Sequence, residues 1–124
     1  MSEASERNLE IVRRFEDEFK NKENHGVVDE LMSEDFVHHA LFPGLPPGGE
    51  GVKAVGQFVV GAIRDISINI DHMISQDALV ADRITARGIR RDTGEPISWT
   101  ENHFYRLSDG KISEWWPEGG PALD

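Results

Sequence analysis

The sequence predicts an α+β domain in which three helices come first and pack on one face of a strongly curved mixed sheet. Two observations carry this prediction. Apolar residues recur at helical spacing through the first half of the 124-residue chain, and the second half alternates at period two in successive stretches separated by turn signals. Helices that all precede the strands must gather on one face of the sheet those strands form. At this length residues 1–124 make one domain, long enough to bury about two thirds of its unfolded surface.

Each element has its own pattern. Leu9, Val12, Phe15 and Phe19 form the apolar stripe of a first helix from about Ser5 to Asn21, and Glu10, Arg13, Arg14, Glu16, Asp17 and Lys20 fill its other faces. Val27, Val28, Leu31 and Met32 give a short second helix ending in Ser33-Glu34-Asp35, where Asp35 reads as a capping residue. Phe36 to His39 reads as a brief strand or extended segment. The Pro/Gly-rich run Phe42 to Gly51 follows as a loop, and its Phe42 and Leu45 suit a cover over a cavity mouth. A third helix, roughly Glu50 to Arg64, presents Val52, Val55, Phe58, Val59 and Ile63. Its Gly56 and Gly61 cost about 1 kcal/mol each in a helix interior, which close packing would explain. Ile66, Ile68, Ile70, His72 and Ile74 then alternate with Ser67, Asn69, Asp71 and Met73 as a half-buried strand. Leu79 to Arg90, Ile97 to Leu107 and Lys111 to Trp116 complete a four-strand meander.

Composition narrows the function classes. Thirteen basic and twenty-three acidic residues leave a net charge of −10, which repels phosphate backbones and anionic lipid, so neither nucleic acid nor a membrane is the expected partner. The polar, acidic Met1 to Arg7 has no leader pattern, and a cytoplasmic location is expected. With no cysteine, thiolate chemistry and disulfides are excluded. The five histidines lack metal-ligand spacing: His38 and His39 are adjacent, and His25, His72 and His103 fall on separate elements, so no metal site is expected.

Chemistry concentrates in Ile97 to Leu107. Alternation puts Trp99, Glu101, His103 and Tyr105 on one face and Thr100, Asn102, Phe104 and Arg106 on the other. Titratable groups interleaved with aromatics on one face suit a small-molecule pocket. A structural role for each is the alternative: His103 as a satisfied interior imidazole, Glu101 as the ion-pair partner of Arg83 or Arg87, Trp115 and Trp116 as core or interface residues. Of the histidine pair one faces inward, and His38 is the expected one. The outer face, with Thr100, Asn102, Phe104 and Trp116, is expected to form a homodimer.

Several short motifs, in order, resemble a known family: Val12-Arg13-Arg14-Phe15, Asp35 to His39 (DFVHH), the Pro-Gly and Glu-Gly loop, and Tyr105 to Trp115 (YRLSDGKISEW). They are similar to the SnoaL-like polyketide cyclases of the nuclear transport factor 2-like superfamily. The resemblance implies a cone-shaped α+β barrel. It further implies cofactor-free cyclase or isomerase chemistry on a hydrophobic polyketide or terpenoid type ligand, with His103 polarising the substrate. The family's general acid/base aspartate falls here on Pro117, and Glu118 is the next residue. The expected catalytic groups are therefore His103 with Glu118 or Glu101, and His38, Phe58, Trp99, Tyr105 and Trp115 are the expected substrate contacts. Two alternatives accompany this reading. One is an epoxide-hydrolase-like site, with an arginine between two carboxylates such as Asp82, Arg83 and Glu101; the other is a non-catalytic ligand-binding or scaffold dimer.

Overall fold

Ser2 opens the first helix by accepting the Ser5 backbone N–H on its hydroxyl, at 3.1 Å. The computed structural model describes residues 2–39 and 44–123. Helix α1 (Glu3–Glu16) runs into a π-helical turn, Asp17–Asn21, and a short helix α2 (Val27–Leu31) follows. Strand β1 (Met32–His38) precedes α3 (Gly49–Ala62), after which come β2 (Ile63–Gln76), β3 (Leu79–Arg90), β4 (Pro96–Ser108) and β5 (Lys111–Gly119). The sheet order is β1-β5-β4-β3-β2, with β1 parallel to β5 and the other neighbours antiparallel. The α+β class with three helices on a curved mixed sheet is what the sequence predicts, and the sheet has a fifth strand.

That strand takes in Phe36 to His38 of the segment read as a brief strand or extended segment and starts earlier, at Met32, which is the first of several local corrections. Met32 and Ser33-Glu34-Asp35 belong to β1, so Asp35 is an exposed strand residue and caps no helix. Ile63 is the first residue of β2, where the chain passes from α3 into the sheet without a loop. The phase of β2 reverses partway along. Ile70 pairs with Ile84 but His72 pairs with Arg83, leaving Asp71 as an extra residue in a β-bulge. Beyond the bulge Met73 faces inward opposite Asp82, while Ile74 is 71% exposed. Period-two reading alone cannot locate such an insertion.

The core fills one end of the curved sheet. Val12, Phe15 and Phe19 of the first helical segment pack with Val27, Val28, Leu31, Met32 and Phe36 against Tyr105, Leu107, Ile112 and Trp115. Phe15 contacts Trp115 edge-on at 5.5 Å, and Tyr105 stacks on Trp115 at 5.7 Å. Gly56 has the packing role expected of it, since a Cβ there would lie 2.6 Å from Phe19 Cζ and 3.0 Å from His25 Nε2. Gly61 has none: its Cβ would meet open space. Of the loop expected to cover the cavity, Phe42 lies outside the described residues, and Gly49 to Gly51 already form the first turn of α3. No helix among the described residues is long and apolar enough to cross a membrane.

Candidate functional site

At the end of the sheet that the core leaves open, the inner face of β4 carries Trp99, Glu101, His103 and Tyr105, as alternation predicts. Glu101 collects three donors. Its Oε1 accepts from Lys20 Nζ at 2.9 Å and lies 2.8 Å from His103 Nε2, while Oε2 accepts from the Trp99 indole at 2.7 Å. The other imidazole nitrogen, Nδ1, is 2.6 Å from Asp82 Oδ1, its direct cross-strand neighbour on β3. Lys20 also reaches Glu16 at 3.2 Å, and Glu16 accepts the Tyr105 hydroxyl at 2.6 Å. Six ionisable side chains, Tyr105 included, from the π-helical turn, the end of α1, β3 and β4 thus form one buried network.

Their protonation follows from the neighbours. Burial works to raise the Glu101 pKa, but the Lys20 ammonium and the hydrogen bond from His103 outweigh it and hold the carboxylate well below the usual range. Burial and Lys20 oppose charge on His103, yet Glu16, Asp82 and Glu101 prevail and raise it, giving an imidazolium clasped between carboxylates. Burial also opposes charge on Lys20, and Glu101 and Glu16 overcome it to keep the ammonium. Glu16 is the exception: burial dominates and pushes its pKa up.

Two connected lobes of a cavity open beside this network. The inner lobe, about 80 Å³, is walled by Phe19, Val55, Val59, Ile66, Ile68, Trp99 and Trp115, with Lys20, Glu101 and His25 as its ionisable lining. The outer lobe, about 180 Å³, shares Val55, Val59, Glu101, Trp115 and Pro121 and adds His38, Phe58, Pro117 and the chain end at Gly119 and Leu123. An apolar cavity of about 150 Å³ admits a benzene ring, so the outer lobe alone accommodates a ring and the inner lobe adjoins it. Gly119 lets the chain end fold over it, because φ is 97° and a Cβ would lie 2.4 Å from the Thr100 carbonyl oxygen.

The sequence-predicted residues divide accordingly. Glu101, Trp99, Trp115 and His38 line the cavity, and His38 is the inward member of its pair, pushed down to about 4 by burial and by His39. His39 stacks outside on Trp116 at 4.6 Å and sits 2.8 Å from Glu114. His103 lies behind Glu101 with both nitrogens engaged and lines neither lobe, so its expected contact with substrate is corrected to a supporting position. Tyr105 is fully buried core beneath it. Phe58 stands at the mouth, 62% exposed. Glu118 is a second correction: His103 pairs across the sheet with Pro117, so Pro117 faces inward and Glu118 points to the exposed outer face beside Asn102. Arg83 and Arg87 are outward too, and the partner of Glu101 is Lys20.

Glu16 and Lys20 are the members of the buried network that sequence reading assigned to the outer faces. One signal was present, because Glu16 sits four residues after Val12 and three before Phe19, within the buried stripe. The π-helical turn that carries Lys20 inward has no comparable signature. Glu16, Asp82 and His103 also place one ligand-type atom each within 4.8 Å of one another, a grouping invisible in the spacing. Lys20 supplies positive charge there and His103 Nδ1 is bonded to Asp82, so the grouping is compensated from within.

Comparison with known proteins places this geometry. The family model for SnoaL-like polyketide cyclase matches residues 10–118. No curated protein sequence is significantly similar to the chain. Among solved structures, a Bacillus cereus protein assigned to the polyketide cyclases superposes with a TM-score of 0.85 at 22% identity, over 96% of this chain and 78% of that one. IdmH from Streptomyces antibioticus, also assigned to the polyketide cyclases, gives 0.80 at 26% identity over 90% and 91%. An LEH-like epoxide hydrolase of M. tuberculosis gives 0.72 at 17% identity over 94% and 85%. The fold is the nuclear transport factor 2-like cone, and the chain belongs to the SnoaL-like polyketide cyclase family.

Proposed function

We propose that the protein is a cofactor-independent cyclase or isomerase that moves a proton on a hydrophobic ring compound of polyketide or terpenoid type. The observation that carries this reading is the one carboxylate lining the cavity among the described residues, Glu101, held in its ionised form by Lys20 within largely apolar and aromatic walls. Glu101 Oε1 is occupied by Lys20 and His103, whereas Oε2 has one donor, the Trp99 indole, and retains a lone pair for a substrate proton. Oε2 takes the proton from a carbon next to a carbonyl, and the C–H electron pair passes to the carbonyl oxygen as an enolate. In isomerisation Glu101 returns the proton to a different carbon. In cyclisation the enolate carbon bonds a second carbonyl carbon of the same molecule, and the oxygen freed there takes the proton. Asp82 and His103 are positioning residues, which fix Glu101 from behind.

One experiment asks this without knowing the natural substrate. The protein is mixed with the enolisable bicyclic ketone 2-tetralone in deuterated water, and exchange of its α-hydrogens is followed by NMR. Accelerated exchange supports the reading. Binding of 2-tetralone without exchange makes the chain a ligand-binding member of the fold.

The epoxide-opening alternative retains one favourable observation: an imidazole stands between the carboxylates of Asp82 and Glu101, where arginine was expected. Hydrolysis of a cyclic terpenoid epoxide together with no ketone exchange would favour it. We also infer a homodimer through the outer sheet face, where Ile74, Ala81, Phe104 and Trp116 pair in register across four strands as one row.

A further inference from the structure

We propose that Lys20 is the group that binds the reacting oxygen of the substrate, so that the cavity selects compounds able to present an enolate or phenolate oxygen to a buried ammonium. The inference rests on the acid–base reading of Glu101 and extends it to a residue of the π-helical turn. Lys20 lines the inner lobe beside Glu101, against the rings of Phe19, Trp99 and Trp115. Its ammonium stands 5.7 Å from the Trp115 ring centroid.

The donor count leaves room for a ligand. An ammonium has three N–H groups. One goes to Glu101 Oε1 at 2.9 Å and one to Glu16 Oε2 at 3.5 Å, with Glu16 Oε1 3.2 Å away as an ion pair. His103 Nε2 lies 3.5 Å away, but an imidazolium bonded through both nitrogens to Glu101 and Asp82 has no lone pair to offer. The third N–H is therefore available to the lobe that Lys20 lines. A cation already held by the protein in an apolar cavity stabilises developing negative charge without reorganising, as an oxyanion-binding group must.

The position also answers how a carboxylate held so strongly in its ionised form can act as a base. The ammonium that stabilises Glu101 is the one the substrate oxygen would engage. As charge builds on that oxygen it competes for Lys20, the Glu101 Oε1 contact loosens, and the carboxylate becomes more basic as the proton moves. The groups facing Lys20 are Glu16 from its own helical segment and Glu101, His103 and, through His103, Asp82 from the sheet. With two cations among them, an incoming oxyanion does not meet an unopposed acidic cluster.

The test uses 2-naphthol, a bicyclic phenol of the ordinary phenolic type, ionising near about 10, whose ionisation is read by absorbance. Bound to the wild-type protein its midpoint should fall by at least one pH unit, equivalent to tenfold tighter binding of the anion than of the neutral phenol. Lys20→Arg should keep a lowered midpoint. Lys20→Met should return it to the solution value or above, and Lys20→Met/Glu101→Gln, which leaves no unpaired charge between these two positions, repeats the measurement if the single variant does not fold. An unshifted or raised midpoint in the wild type overturns the proposal, as does a lowered midpoint that survives in the double variant. Failure of 2-naphthol to bind overturns it as well. Exchange of 2-tetralone by the wild-type protein that persists in any of these cases leaves the acid–base reading of Glu101 standing.

Discussion

His103 and Asp82 face each other across β3 and β4, and among the described residues the imidazole is the one side-chain hydrogen-bond partner of Asp82. Asp82 Oδ2 is already buried without a hydrogen-bond partner, so removing the imidazole strands the whole carboxylate. His103→Ala should therefore cost about 3–5 kcal/mol in a urea titration, and a loss under about 1 kcal/mol would mean that Asp82 finds water. His38 behaves differently. Its ring titrates at about 4 in the fold against an ordinary 6.5, so between those values the unfolded chain binds the extra proton and stability falls as pH drops through that window. The loss is at most about 3 kcal/mol, reduced by solvent because the ring is half-buried. His38→Phe should flatten the change in melting temperature between pH 6.5 and pH 4; an unchanged slope would assign that titration to other groups. Alternation along β4 made the shared face of Trp99, Glu101 and His103 legible. It could not show that the imidazole is spent on two carboxylates, because one of them depends on the register of a different strand.

Among the elements, α3 and the π-helical turn decide the cavity. Gly56 lets α3 approach Phe19 and His25, both of which line the inner lobe. Gly56→Ala should cost about 1–3 kcal/mol by overpacking, despite the better helix propensity of alanine, whereas Gly61→Ala, with open space around it, should be neutral or stabilising. Differential scanning calorimetry of the two variants checks the pair; equal shifts would show that α3 is not held at Gly56. The α1 stripe and the starts of β3 and β5 were readable here because each follows a regular period. The bulge at Asp71 and the widened turn at Asp17–Asn21 each break a period by an inserted residue, and those are the places where the expected facing of Ile74 and Lys20 failed.

At the scale of the whole molecule the outer sheet face and the inner cavity belong to opposite sides of the same strands. Phe104 is 55% exposed in the row from Ile74 to Trp116, and its inward neighbours are His103 and Tyr105. Phe104→Glu should turn the expected dimer into a monomer by light scattering while leaving 2-tetralone exchange intact; a wild-type mass of 13.9 kDa at high micromolar concentration would remove the dimer. Fold class and pocket face were legible because burial patterns over whole strands are redundant. Which carboxylate faces the cavity was not, since the choice between Glu101 and Glu118 turned on one residue of strand phase beside Pro117. The most direct measurement is the rate of deuterium exchange into 2-tetralone by Glu101→Gln beside the wild type, with affinity for the ketone measured in parallel. The account predicts a rate lower by about 10²–10⁴-fold with affinity within threefold, and a variant that exchanges as fast as the wild type would contradict it.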